Sequence, residues 1–168
     1  MPKQITLTNI LANSGKGYLS GTNSNNTKYT STSNLVGDGS TICCKIVPTA
    51  SGEATITTSK KYMLDKTHKY YVSFWIKFAS ATTGSFDFYW PIAEPLAFHT
   101  PSITASANQW VRCSTVFDRT SFASGQYQCR FDWNNEPGNV TAYQSSLMLF
   151  DLTTTFGAGL EPSKERMD

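Results

Sequence analysis

Apolar and polar residues alternate along this chain in short runs separated by turn residues. The clearest run is His68 to Ala79, HKYYVSFWIKFA. A period of two puts Tyr70, Val72, Phe74, Ile76 and Phe78 on one face, and Tyr71, Ser73, Trp75 and Lys77 on the other. Gln109 to Phe117 repeats the pattern, with Val111, Cys113, Thr115 and Phe117 set against Trp110, Arg112 and Ser114. Gln126 to Trp133 does so again, with Tyr127, Cys129, Phe131 and Trp133 against Gln128, Arg130 and Asp132. Ser85 to Ile92 sets Phe86, Phe88 and Trp90 against Asp87 and Tyr89. Lys3 to Leu11, Thr41 to Val47 and Ala54 to Thr58 read as further strands. Asn13 to Thr32 reads as a long polar loop with one short strand around Tyr29. Thr141 to Thr155 supplies the last strand, ending near Phe156.

No segment carries helical periodicity. Eight or nine short strands with turn signals between them predict an all-β protein, a jelly-roll β-sandwich of two antiparallel sheets. Gly157, Gly159 and Pro162 punctuate its end. We therefore expect one domain over 1–160 and a tail or linker over 161–168.

Composition sharpens this reading. Charged residues make up 15% of the 168 positions, and the net charge of +2 is too small for a nucleic-acid footprint. No window approaches the roughly 18 apolar residues of a membrane span, and Met1-Pro2-Lys3 does not open a signal peptide. Eight Tyr, ten Phe and four Trp exceed the usual needs of a core, so some rings are expected in a binding face. Cys43, Cys44, Cys113 and Cys129 form neither a CxxC nor a zinc spacing and read as buried free thiols, as in a reducing cytoplasm.

Catalytic motifs are missing: there is no GxSxG, HExxH or phosphate loop. His68 and His99 are isolated, and His68 reads as an exposed strand end. A glycosidase needs two carboxylates about 5 to 10 Å apart; Asp87, Glu94, Asp132 and Glu136 are the only members available, and none sits in a motif. Binding is the better reading. Sugars offer C–H faces to aromatic rings and hydroxyls to polar side chains. The outward faces of three strands supply that mixture as Tyr71, Trp75 and Lys77; Trp110 and Arg112; and Gln128, Arg130 and Asp132. Tyr89 joins from a fourth. With these strands in one sheet, they make a single patch on its concave face. Alternatively, the rings cover a sheet edge or a subunit contact. Trp90, Trp133 and the Pro91 to Pro101 loop are candidates for a rim. Asp151, alone inside the apolar run LMLFDL, must face solvent, accept hydrogen bonds or hold a cation.

Two resemblances give this a setting. The phrase LFDLTTTFGAGLEPSKE, through Asp151, Leu152, Thr153, Phe156, Gly157, Gly159, Glu161 and Pro162, resembles the closing segment of a β-sandwich domain of phage and prophage tail or minor structural proteins. The order of KYYVSFWIKF, QWVRCSTVF and LMLFDLT, over Tyr62 to Leu152, is similar to carbohydrate-binding modules of families 4, 9 and 22. These resemblances imply a non-catalytic module of a virion tail protein, made in the bacterial cytoplasm, that attaches to a cell-surface polysaccharide such as a wall glycan or teichoic acid. Weak single sites would act through avidity. They also imply other virion proteins as partners, homo-oligomers among them, with a structural or decoration domain as the alternative. Finally, they imply a structural calcium ion on Asp151, with Asn9, Asn13 and backbone carbonyls as further ligands.

Overall fold

The alternation turns into pairing in ten strands among the described residues of this computed structural model, which are 5–11, 21–25, 27–33, 36–82, 85–91, 95–97, 107–136 and 138–168. The strands are β1 (Gly21–Asn25), β2 (Thr27–Ser33), β3 (Ile42–Pro48), β4 (Gly52–Leu64), β5 (Lys69–Phe78), β6 (Ser85–Tyr89), β7 (Pro95–Ala97), β8 (Val111–Asp118), β9 (Gly125–Glu136) and β10 (Ala142–Asp151). They form two five-stranded antiparallel sheets, ordered β1-β4-β9-β6-β7 and β2-β3-β10-β5-β8. The chain changes sheet at most of its connections. The result is the jelly-roll β-sandwich that the pattern predicts.

The apolar parity faces inward in both sheets. Phe86 and Phe88 of β6 and Phe131 of β9 meet Phe74, Ile76 and Phe78 of β5 across the interior. Phe74 and Phe131 sit edge to face at 4.8 Å between centroids, the preferred geometry of an aromatic pair. Trp90 and Trp133 belong to this core and are 0% and 1% exposed, so neither rims a binding face. The rings counted as surplus are largely consumed here. All four cysteines are buried and free. Burial pushes the Cys44 and Cys113 thiols up to about 12, which leaves them inert hydrophobes.

Three expectations about the chain ends are revised. Residues 5–11 carry no strand. Instead Ile10 donates its N–H to the Leu149 carbonyl at 2.8 Å. Asn9 serves the bulge of β10: its amide donates to the Leu147 carbonyl, and its Oδ1 accepts from the N–H groups of Leu11 and Leu149. The last strand ends at Asp151 rather than Phe156. Asp151 caps a short helix, α1 (Leu152–Phe156), by accepting from Thr154 N at 2.8 Å. Gly157, at φ 95°, closes it.

The third revision concerns 161–168, which docks rather than trails. It carries α2 (Lys164–Met167), and the following Asp168 lies on the outward face of β5 and β8. The closing phrase explains the docking. Thr153 Oγ1 accepts from Lys69 N and donates to Glu161 Oε1, while Glu161 Oε2 accepts from Gly159 N. Thr153, Gly159 and Glu161 of the phrase thus form one buckle that fastens the C-terminal segment to the start of β5.

Candidate functional site

The two sheets divide the expected patch. Tyr71, Trp75 and Lys77 of β5, Arg112 of β8 and the adjoining Trp110 lie on the outward face of β2-β3-β10-β5-β8. Gln128, Arg130 and Asp132 of β9 and Tyr89 of β6 lie on the outward face of the other sheet. The hydrophobic core separates the groups. The single nine-residue patch therefore does not form, because β5 and β8 pair with each other and β6 and β9 pair with each other.

The β5–β8 face is occupied by the protein's own chain. Tyr71 is 1% exposed, stacks on Phe150 and donates its hydroxyl proton to Asp168 Oδ1 at 2.7 Å. Arg112 donates to the Tyr71 hydroxyl and to the Asp168 carbonyl. Burial alone would raise the Asp168 carboxyl, but hydrogen bonds from Lys164 and Tyr71 outweigh it and hold the group at about 2. Trp75 lies under the turn after Val36, so close that a side-chain carbon on Gly37 would fall 2.5 Å from the indole ring. Lys77 sits over the Trp110 ring at 5.1 Å and the Tyr143 ring at 4.9 Å. These side chains hold a loop, a helix and each other.

The β9–β6 face is different. Register sets Asp132 opposite Asp87 and Arg130 opposite Tyr89, with Thr55 and Thr57 of β4 on the other flank. Arg130 pairs with Asp132 at 2.6 Å and lays its guanidinium 4.5 Å above the Tyr89 ring. Asn134 donates to Asp87 Oδ2 at 2.8 Å, and Gln128 donates to the Thr58 carbonyl in the irregular part of β4. Asp132 is 1% exposed, and its Oδ1 has no hydrogen-bond partner; neither does the buried Nε of Arg130. Burial pushes the Asp132 carboxyl up to about 6; Arg130 opposes this, and Glu53 and Asp87 add to it. The ion pair thus offers one acceptor and one donor, both desolvated and neither satisfied. Such atoms cost stability in the free protein and mark a place where a polar ligand can repay it.

Asp87, Asn134, Thr55 and Thr57 join this face beyond the residues expected from sequence. Alternation already puts Asp87 with Tyr89 and Asn134 with Asp132. The missing signal was strand pairing, which a single sequence does not carry.

Asp151 does not suit calcium. Its Oδ1 accepts from Thr154 N, and its Oδ2 from Thr154 Oγ1 and from His68 Nδ1 at 2.8 Å. Those are proton donors, where a cation needs six to eight oxygens. The Asn9 oxygen is committed to backbone N–H groups, and Asn13 falls outside the described residues. Among the described residues, no group of three or more His, Cys, Asp or Glu is placed to hold a metal ion. His68 is accordingly half-buried and bonded to Asp151, not an exposed strand end. His99 and Glu94 also fall outside the described residues. No described helix is long and apolar enough to cross a membrane.

No family model matches the chain, and no curated protein sequence does. Solved structures do match in fold. The CBM22-1 xylan-binding domain of Paenibacillus barcinonensis Xyn10C superposes with a TM-score of 0.56 at 7% identity, over 89% of this chain and 97% of that one. An arabinose-bound α-L-arabinofuranosidase gives 0.57 at 16% identity over 89% of this chain. The enzymatically active domain of bacteriophage CBA120 tailspike protein 4 gives 0.54 at 14% identity over 84%. The chain spans only 25% and 21% of the length of these last two. At such identities the likeness establishes the β-sandwich fold, which carbohydrate-binding modules share.

Proposed function

We propose that this protein is a non-catalytic carbohydrate-binding module of a phage or prophage tail-associated protein, and that it attaches to a glycan on the bacterial surface. The ligand lies on the outward face of β9 and β6, over Arg130, Asp132, Asp87 and Tyr89, with Gln128 at one end. The observation that carries this reading is the buried, half-satisfied Arg130–Asp132 pair, which no packing role requires. The fold supports it, since a xylan-binding domain of comparable length has the same architecture. The closing phrase and the fold likeness to a tailspike domain support the virion setting. Attachment by many copies makes weak sites sufficient.

The test is a binding screen against cell-wall fractions and purified polysaccharides, with Asp132→Asn and Trp75→Ala beside wild type. Binding that Asp132→Asn weakens and a folded Trp75→Ala retains supports the reading. Loss with Trp75→Ala alone moves the ligand to the opposite sheet.

A structural or decoration domain remains the second reading, favoured by one feature. Ile5, Leu7 and Leu160 are exposed and, with Phe156, Pro162 and Met167, line a cavity of about 700 Å³ between the N-terminal segment and the buckle. Exposed apolar surface of this kind suits subunit contact. A concentration-dependent oligomer that Leu160→Glu dissociates, together with no glycan binding, would decide for it.

A further inference from the structure

We infer that the β9–β6 face reads an uncharged glycan through two neighbouring hydroxyls, one donating to Asp132 Oδ1 and one accepting from Arg130 Nε, and that it rejects anionic wall polymers. This rests on the proposed function and narrows it to a ligand class.

The argument is one of valence. The pair leaves one acceptor and one donor unsatisfied on a single face. A carboxylate or phosphate satisfies Arg130 Nε but brings a second negative charge to Asp132, with Asp87 opposite and Glu53 near. An ammonium satisfies Asp132 but offers nothing to Nε. Adjacent hydroxyls satisfy both, because each can donate and accept. Charge points the same way: Glu53 and Asp87 already disfavour the negative form of Asp132, and an anionic ligand adds to that repulsion. A teichoic acid, with a phosphate in every repeat, is therefore a poor fit.

Recognition here is polar and not by stacking. Tyr89 is the one described ring on the face of this site, and Arg130 covers it. Both unsatisfied atoms lie below the surface, and the Arg130 side chain is one-quarter exposed. Ligand hydroxyls reach them as that side chain shifts without leaving Asp132 Oδ2, so the ion pair is kept and only the two open atoms meet the sugar.

The test uses matched polysaccharides: dextran, xylan and mannan against dextran sulfate, carboxymethyl-xylan and polygalacturonate, with lipoteichoic acid added. Binding is read by affinity electrophoresis and calorimetry at pH 7.5. The expected result is binding to at least one uncharged polymer, at least tenfold weaker binding to its charged counterpart, and loss of about tenfold in Asp132→Asn, a variant that removes a buried charge and should keep the fold. Tighter binding to an anionic polymer than to any uncharged one overturns the inference and leaves glycan attachment standing. Binding of an uncharged polymer that Asp132→Asn and Arg130→Lys leave unchanged overturns the two-residue reading. Binding to none of the probes or wall fractions sinks both this inference and the proposed function.

Discussion

The two outward faces of the sandwich are built from similar residues and put them to opposite uses. On the β5–β8 face, Tyr71, Trp75, Lys77, Trp110 and Arg112 engage the chain's own atoms. The C-terminal residue lies on Tyr71 and Arg112, a glycine turn lies on Trp75, and two rings flank Lys77. On the β9–β6 face, Arg130 and Asp132 meet each other and leave an atom each unsatisfied. The first face has rings and closed valences; the second has one covered ring and open ones. Counting outward-facing aromatics favours the first face as the binding surface, whereas counting unsatisfied polar atoms favours the second. In a sandwich this rich in aromatic residues, the second count is the more informative. Rings are what such a fold packs with, and an unsatisfied buried pair has no use in packing.

The largest test of that contrast is Arg130→Ala. It leaves the Asp132 carboxylate buried without its cation, which costs about 3 kcal/mol at neutral pH. The loss should depend on pH in a specific direction. Burial raises the Asp132 carboxyl to about 6 from 3.8, so its contribution to stability is complete below about pH 4 and disappears as the pH rises through 6. For wild type this amounts to at most about 3 kcal/mol between pH 4 and pH 8. Glu53 of β4 and Asp87 of β6 reinforce the effect, and Arg130 of β9 opposes it. Urea denaturation across this range should show Arg130→Ala losing most above pH 6 and little at pH 4.5. Asp132→Asn should flatten the profile. A loss in Arg130→Ala that is independent of pH would show that the carboxylate is not the buried charge described here.

Next in size is Gly37→Val, on the other face. The new side chain would overlap the Trp75 ring, and relieving the overlap costs about 2 kcal/mol. Glycan affinity should be unchanged in the folded protein, because the core separates Trp75 from Arg130. An affinity change larger than about threefold, with the fold intact by circular dichroism, would place the ligand on the β5–β8 face.

Much of this contrast was hidden in the sequence, for a definite reason. Alternation puts Tyr70, Val72, Phe74, Ile76 and Phe78 of β5 on the buried side, as the structure has them, because a period of two leaves one choice of face once the apolar set is known. It could not say which sheet a strand joins. That depends on how the chain crosses between layers, so alternation alone puts Trp75 and Arg130 on one patch although they lie on opposite sides. Trp90 and Trp133 share parity with Phe88 and Phe131, and position beside a turn was a weaker guide than that parity. Alternation fails at Thr58 and so predicts the end of β4 there. The strand continues to Leu64 through an irregularity in which Thr58 Oγ1 accepts from Cys129 N and donates to the Lys60 carbonyl. Thr153, Thr154 and Thr155 suit a strand by propensity, yet the Asp151 cap and Gly157 turn them into a helix.

That cap gives a smaller prediction. Asp151→Ala removes the bond to Thr154 N and the contact with His68, and should cost about 1 to 2 kcal/mol. Calcium or a chelator should leave the wild-type melting temperature unchanged, and a calcium-dependent rise that Asp151→Ala abolishes would restore the ion implied by the resemblance.

The smallest effect belongs to Asp168→Ala. Its carboxylate holds Tyr71 and Lys164 and lies 3.7 Å from Arg112, but the group is partly open to solvent, so the loss should stay below about 1 kcal/mol. With its carboxyl held at about 2, the contribution is present above pH 3.8 and is lost as the pH falls through 2, so neutral-pH denaturation is where to look. The variant matters more for what it uncovers than for what it costs. Removing the carboxylate returns the Tyr71 hydroxyl to the β5–β8 face, while Arg112 keeps its bond to the carbonyl of residue 168. Unchanged glycan binding would mean that the segment completes the fold on that face. A gain in binding would mean that it covers a second site, and that the two faces differ in occupancy and not in kind.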